Sequence, residues 1–205
     1  MTRYRSLGTL QRDLAGCRRC VAAGYPLKSG PVVEPVRRQS AYLLGQAPGS
    51  VEGAEGRPWR GRAGATLRRW LRLGEAEFYA TFYCAAVTRC YPGRAPSGRG
   101  DRTPTAVERR LCSGWIDEEL RLLRPRLVVT VGGLALRHLL GDRTLTSAIG
   151  KSYVHRDAIV VPLPHPSGAS GWLNEPQNRA RLGKALTHVR RELERLAEAS
   201  SGAAR

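Results

Sequence analysis

The sequence predicts an α/β fold, a single domain spanning residues 1–205 with a mainly parallel four-stranded central sheet flanked by helices. Three observations predict it. Short apolar runs of strand length recur along the chain, stretches with helical spacing of leucines separate them, and 205 residues suit one core rather than two. From Ser6 to Ala15, Leu7, Leu10 and Leu14 repeat at helical spacing and lead into a Cys-x-x-Cys turn, Cys17 and Cys20. A polar Gly/Pro connection follows from Val21 to Gln39. Ala41 to Leu44 (AYLL) reads as a first buried strand, ending at Gly45. The next stretch, GQAPGSVEGAEGRPWRGRAG, carries six glycines and no apolar periodicity, which marks a functional loop. Ala65 to Leu73 puts Leu67, Trp70 and Leu71 on one helical face, and Gly74 stops it.

Phe78 to Thr88 reads as the second strand, running into Cys90. After the cationic loop YPGRAPSGRGDR, Pro104 and the pair Thr105 and Glu108 mark a helix start, so Cys112 belongs on that helix. LVVTV at 127–131 is the third strand, Gly132 and Gly133 turn it into the helix LALRHLL, and IVVPL at 159–163 is the fourth. Leu182, Leu186, Val189, Leu193 and Leu196 give an amphipathic C-terminal helix. In such sheets ligands sit beyond the carboxyl ends of the strands, which nominates the loops at 45–64, 89–103 and 164–174.

Composition narrows the partners. Thirty-four Lys+Arg against 17 Asp+Glu leave a net charge of +17, and only Lys28, Lys151 and Lys184 are lysines. Arginine forks bidentately onto phosphate oxygens, so the excess points to a nucleic-acid partner, and nothing suggests assembly beyond a monomer. The most apolar run, 127–136, falls far short of the ~20 residues a membrane span needs, and the N-terminus carries no secretory h-region. The expected location is the cytoplasm, without a membrane partner. Five cysteines, an odd number, argue against a disulfide framework and for metal or cluster ligation by Cys17, Cys20, Cys90 and Cys112. Four-thiolate zinc and an iron–sulfur cluster satisfy that spacing equally. Cys84, in FYCAAV, reads as a small buried hydrophobe.

The set GQAPG, GRPWRGRAG, VTRC with a further cysteine on the next helix, and HPSGAS resembles the uracil-DNA glycosylase superfamily, in its iron–sulfur branch known as family 4, over residues 14 to 190. The resemblance implies a glycosylase of base-excision repair, with an everted base held in a close pocket. It implies a four-iron, four-sulfur cluster on the four cysteines, with zinc as the alternative. Trp59 takes the stacking position, His165 the residue that stabilises the leaving base, and Gly45, Gln46 and Ala47 the loop that orients base or water. Ser167, Ser170 and Trp172 fall in the segment pressed into DNA, and Arg94, Arg99 and Arg102 are candidates for a phosphate clamp.

Two departures matter. Gln46 stands where the family has Glu, and a carboxamide cannot accept a proton at neutral pH, which leaves Glu52 and Glu55 as the candidate acids, with a solvated loop charge as the other reading of each and the favoured one for Glu55. Ala86 stands where the family has a uracil-reading Asn, so the preferred base, uracil or another deaminated one, is open. The alternative reading is an iron–sulfur nucleic-acid-binding protein that keeps the pocket and has lost hydrolysis.

Overall fold

A computed structural model describes residues 3–35, 39–98, 100–167 and 171–202. Its sheet has five strands, one more than expected: β1 (Ala41–Gly45), β2 (Phe82–Ala86), β3 (Leu127–Val131), β4 (Tyr153–His155) and β5 (Ala158–Leu163), in the order β2-β1-β3-β5-β4. The four long strands are parallel, and β4 runs antiparallel along the β5 edge. The sheet is therefore mixed. β4 escaped the sequence reading because its three residues, half-buried Tyr153 and His155 around an exposed Val154, carry no apolar run.

Burial on both faces explains why β1 is an unbroken apolar run and β3 is interrupted only by the buried Thr130. Alternate side chains divide between the two sides. Leu43, Cys84, Val129 and Val161 pack with helices α4 (Arg62–Leu71), α5 (Glu75–Thr81) and α9 (Pro176–Gly202). Tyr42, Leu44, Val128 and Val160 pack with α6 (Ala106–Leu123) and α7 (Gly133–Leu140). Cys84 is fully buried there, as expected of a small hydrophobe. A smaller cluster, Tyr4, Leu10, Leu14 and Trp115, seats the N-terminal helix α1 (Leu7–Ala15) on α6.

Two elements differ from the sequence reading. The run from Phe78 is helical as far as Thr81, because Gly74 N-caps α5 and Glu75 and Glu77 favour its first turn, so Gly74 starts a helix rather than ending one. The preceding helix, α4, stops instead at Arg72, in the left-handed region at φ +58°. The glycine-rich stretch after β1 also holds a short helix, α3 (Ser50–Glu55). The predicted capping box of α6 is present, with Thr105 and Glu108 exchanging bonds, and Cys112 lies on that helix. No helix among the described residues is long and apolar enough to cross a membrane.

Candidate active site

The four parallel strands deliver three loops to their carboxyl ends, and between them lies a cavity of about 330 Å³. Gly45, Gln46 and Ala47 come from the end of β1, Ala85 and Ala86 from the end of β2, and His165 from the turn after β5. Glu52, Trp59, Asp101 and Ser167 complete the part of the lining that carries chemistry. This is where the strand order places a ligand in an open parallel sheet.

Trp59 is held by its backbone. Its φ is +59°, a conformation that costs a non-glycine residue ~1–3 kcal/mol and persists only when neighbours over-determine it. Three contacts do so. Arg68 donates to the Trp59 carbonyl at 2.9 Å, the Tyr79 hydroxyl donates to the Pro58 carbonyl at 2.6 Å, and Gly64 sits so close that a Cβ there would lie 1.8 Å from the Trp59 carbonyl oxygen. The indole in turn lies over Gly45, where a Cβ would meet its ring at 2.9 Å. Gly45 is thus the floor that makes room for the aromatic face.

Across the cavity, the His165 ring centroid stands 6.4 Å from that of Trp59, with the planes inclined at 32°. The backbone N–H of Ser167 donates to His165 Nδ1 at 3.3 Å, and Ser167 Oγ lies 2.8 Å from the same nitrogen. A backbone N–H only donates, so Nδ1 is an acceptor and the ring proton of the neutral imidazole resides on Nε2. Burial pushes the His165 pKa down, while the carboxylates of Glu52 and Asp101 pull the other way. The histidine is a neutral donor at physiological pH. Gly132, at φ +87°, packs its backbone under the imidazole, with a Cβ there falling 3.6 Å from His165 Cβ.

Several expected site residues do other work. Each oxygen of Glu52 accepts a backbone N–H, Oε2 from Gly49 at 3.1 Å and Oε1 from Gly61 at 2.8 Å, so Glu52 straps the start of α3 to the start of α4 rather than standing free as an acid. Glu55 pairs with Arg60 on the surface at 2.7 Å. Arg102 forks onto Glu108 at 2.7 and 2.8 Å and also reaches the Pro92 carbonyl, so its guanidinium is bonded within the fold instead of being held out to a phosphate. Trp172 is half-buried against the core with its Nε1 donating to Thr146 at 3.0 Å. Arg94 is exposed and donates to the Gly98 carbonyl at 3.2 Å. Arg99 and Ser170 lie outside the described residues. Asp101 was missed, since nothing in its local sequence connects it with a strand end.

The four candidate cysteine ligands occupy neighbouring elements, linked by one hydrogen bond and by electrostatic reach. Cys17 follows α1, Cys20 sits on the one-turn helix α2 (Arg19–Ala22), Cys90 follows β2 and Cys112 is on α6; all are free thiols. Cys20 and Cys112 share a hydrogen bond, and Cys90 lies within electrostatic reach of Cys112 and Cys17. The Cys20 bond, with help from Arg89 and Arg19, draws the Cys112 thiol down to about 7, whereas burial pushes Cys90 up to about 12. Among the described residues no three His, Cys, Asp or Glu side chains form a ready single-ion site. Beneath Cys90, the fully buried Arg89 pairs with Glu119, whose other oxygen accepts the Tyr83 hydroxyl at 3.0 Å.

A sequence model of the Uracil DNA glycosylase superfamily matches residues 35–190, most of the chain and all of the cavity lining except Val32. The chain belongs to this superfamily. Among its curated relatives are the Type-4 uracil-DNA glycosylase of Sulfurisphaera tokodaii, 26% identical over 194 residues, which cover 90% of this chain and 84% of that protein. The Type-4 enzyme of Pyrobaculum aerophilum is 29% identical over 187 residues, 88% of this chain and 91% of its own. A Type-5 uracil-DNA glycosylase of the same organism is 41% identical, but over 69 residues only, 34% of this chain and 27% of that one.

Proposed function

We propose that the protein is a monomeric DNA glycosylase that everts uracil, or another deaminated base, and hydrolyses the bond joining it to deoxyribose. The observation that carries this reading is the pairing of Trp59 and His165 across one cavity at the strand ends, in a superfamily member whose relatives are named for uracil excision. Cleavage develops positive charge on the sugar and negative charge on the departing base, so the site needs an aromatic face for the flat ring and a donor for its anion. Trp59 supplies the first, and the Nε2–H of neutral His165 the second. The backbone N–H groups of the Gln46 and Ala47 loop orient the base or water. Ala86 offers no amide to read the uracil edge, which forgoes ~1–3 kcal/mol of selectivity and opens the pocket to hypoxanthine and related bases.

The side that carries the exposed Arg94, beside the cavity loop, and the turn at Ser167 is the DNA-facing side in this reading. Cys17, Cys20, Cys90 and Cys112 fit an iron–sulfur cluster: four soft thiols converge from separate elements, arginines 18, 19 and 89 stand ready to offset thiolate charge, and no disulfide competes. Bound there, the cluster braces the N-terminal segment, the loop after β2 and α6 against one another. Purified protein that is brown, with broad absorption near ~400 nm, supports the cluster; colourless protein with one equivalent of zinc assigns the site to zinc.

The deciding experiment is single-turnover excision on oligonucleotides carrying uracil, hypoxanthine or xanthine. Abasic product from the wild type, lost in His165→Ala with DNA binding retained, supports the enzyme. Tight binding without product on any of them makes the protein a non-catalytic binder.

A further inference from the structure

The first loop lacks an acid where the resemblance leads one to expect it, yet water attack on the anomeric carbon needs a proton acceptor. Two carboxylates line the cavity, Glu52 and Asp101. Both oxygens of Glu52 are engaged by backbone N–H groups, which fix them in the loop. Asp101 is arranged differently. It rides on the loop between β2 and α6, which folds into a small hairpin: Arg94 and Asp101 form an antiparallel bridge, closed by Ala95 N–H to the Gly100 carbonyl at 3.1 Å and Arg102 N–H to the Gly93 carbonyl at 2.8 Å. That hairpin carries Asp101 over to the first loop.

There its Oδ1 accepts the Tyr91 hydroxyl at 3.1 Å, which aims the carboxylate. Its Oδ2 lies against Gly49, 3.2 Å from where a Cβ would stand, and has no hydrogen-bond donor among the described residues. The side chain is exposed to solvent at the cavity rim, so water reaches it, and its charge is one of the two felt by the His165 imidazole. One oxygen oriented, one oxygen open, solvent access and the leaving-group donor lining the same cavity make the arrangement a general base requires.

Resting on the uracil-excision reading, we propose that Asp101 replaces the missing first-loop acid and activates the attacking water. The C1′–N1 bond breaks and its electron pair leaves on the uracil anion, which the His165 Nε2–H holds. The water oxygen forms the new bond to C1′ and passes one proton to Asp101 Oδ2, which returns it to solvent, while the uracil anion takes a proton from solvent. The negative charge of Asp101 also favours the cationic sugar that precedes attack.

The test is single-turnover excision of uracil by the full-length protein and its Asp101 variants, with affinity for the same oligonucleotide measured separately. Asp101→Asn keeps an acceptor for Tyr91 and removes the base; its rate constant should fall roughly 10²–10⁴-fold with binding within about threefold of wild type. Asp101→Glu should recover part of the loss. Formate added to Asp101→Ala should raise its rate in proportion to concentration and leave the wild type unaffected, a response that a merely structural role does not give. An Asp101→Asn rate within about threefold of wild type overturns the assignment while leaving uracil excision standing, as does a loss that formate cannot rescue or that appears in affinity alone. Absence of excision by the wild type overturns the functional reading itself.

Discussion

At the scale of single residues, the site depends on the protonation of one ring and the backbone of another. The His165 Nδ1 is occupied as an acceptor by Ser167, so protonation would break that bond as well as place a charge in a half-buried cleft. Burial lowers its pKa against the pull of Glu52 and Asp101, and a histidine with a depressed folded value stabilises the fold less as pH falls through the unfolded value of ~6.5, because the unfolded chain then binds more protons. An NMR titration of the free protein is expected to place the His165 midpoint below ~6.5, and Ser167→Ala, which removes the hydroxyl and keeps the backbone donor, should move it by less than burial does. A midpoint above that reference would mean that Glu52 and Asp101 outweigh burial. Trp59 and His165 were legible in the sequence because short motifs, RPW and PHPS, carry them. Asp101 was not, since its meaning comes from Gly49 and Tyr91 beside it, and its immediate sequence, GRGDR, reads as a solvated loop.

At the scale of elements, the glycines of α4 and of the first loop decide whether the aromatic wall can exist. Gly64→Ala would drive a methyl into the Trp59 carbonyl, against a helix that cannot retreat from Leu67 and Leu71 in the core. We expect it to lower the melting temperature and to cut excision by at least ~10-fold, while Gly183→Ala, on α9 with open space around it, should stabilise the protein by ~0.5–1 kcal/mol and leave excision unchanged. Equal behaviour of the two variants in thermal melts and excision assays would remove the claim that α4 pins Trp59. The helices and strands themselves were mostly readable, because leucine spacing, the Thr105 and Glu108 cap, and the apolar runs of β1, β3 and β5 are local signals. α5 and β4 were not. Phe78 to Ala86 is broken only by Thr81, so the Gly74 cap and the acidic first turn are what separate helix from strand, and β4 exists because the β5 edge is there to pair with it.

For the whole molecule, a net charge of +17 predicts binding to DNA that weakens steeply with salt. The structure sorts which arginines take part. Arg94 is exposed on the hairpin that borders the cavity, so Arg94→Ala should reduce the slope of log affinity against log salt by ~1. Arg102 is bonded to Glu108, holding that carboxylate below its ordinary range, so Arg102→Ala should leave the slope unchanged and lower stability instead. Salt titrations of the two variants showing the opposite pattern would reassign the clamp. The sequence by itself determined the α/β class, the strands and helices with strong periodicity, the four candidate cysteine ligands and the motif residues Trp59 and His165, because each is written in a few consecutive side chains. Only the tertiary structure decided that Trp59, His165 and Asp101 face one hollow, and that Glu52 and Arg102 are bonded inside the fold. Those outcomes depend on strand order and on loops meeting across the sheet, where every group takes the partner that distance allows.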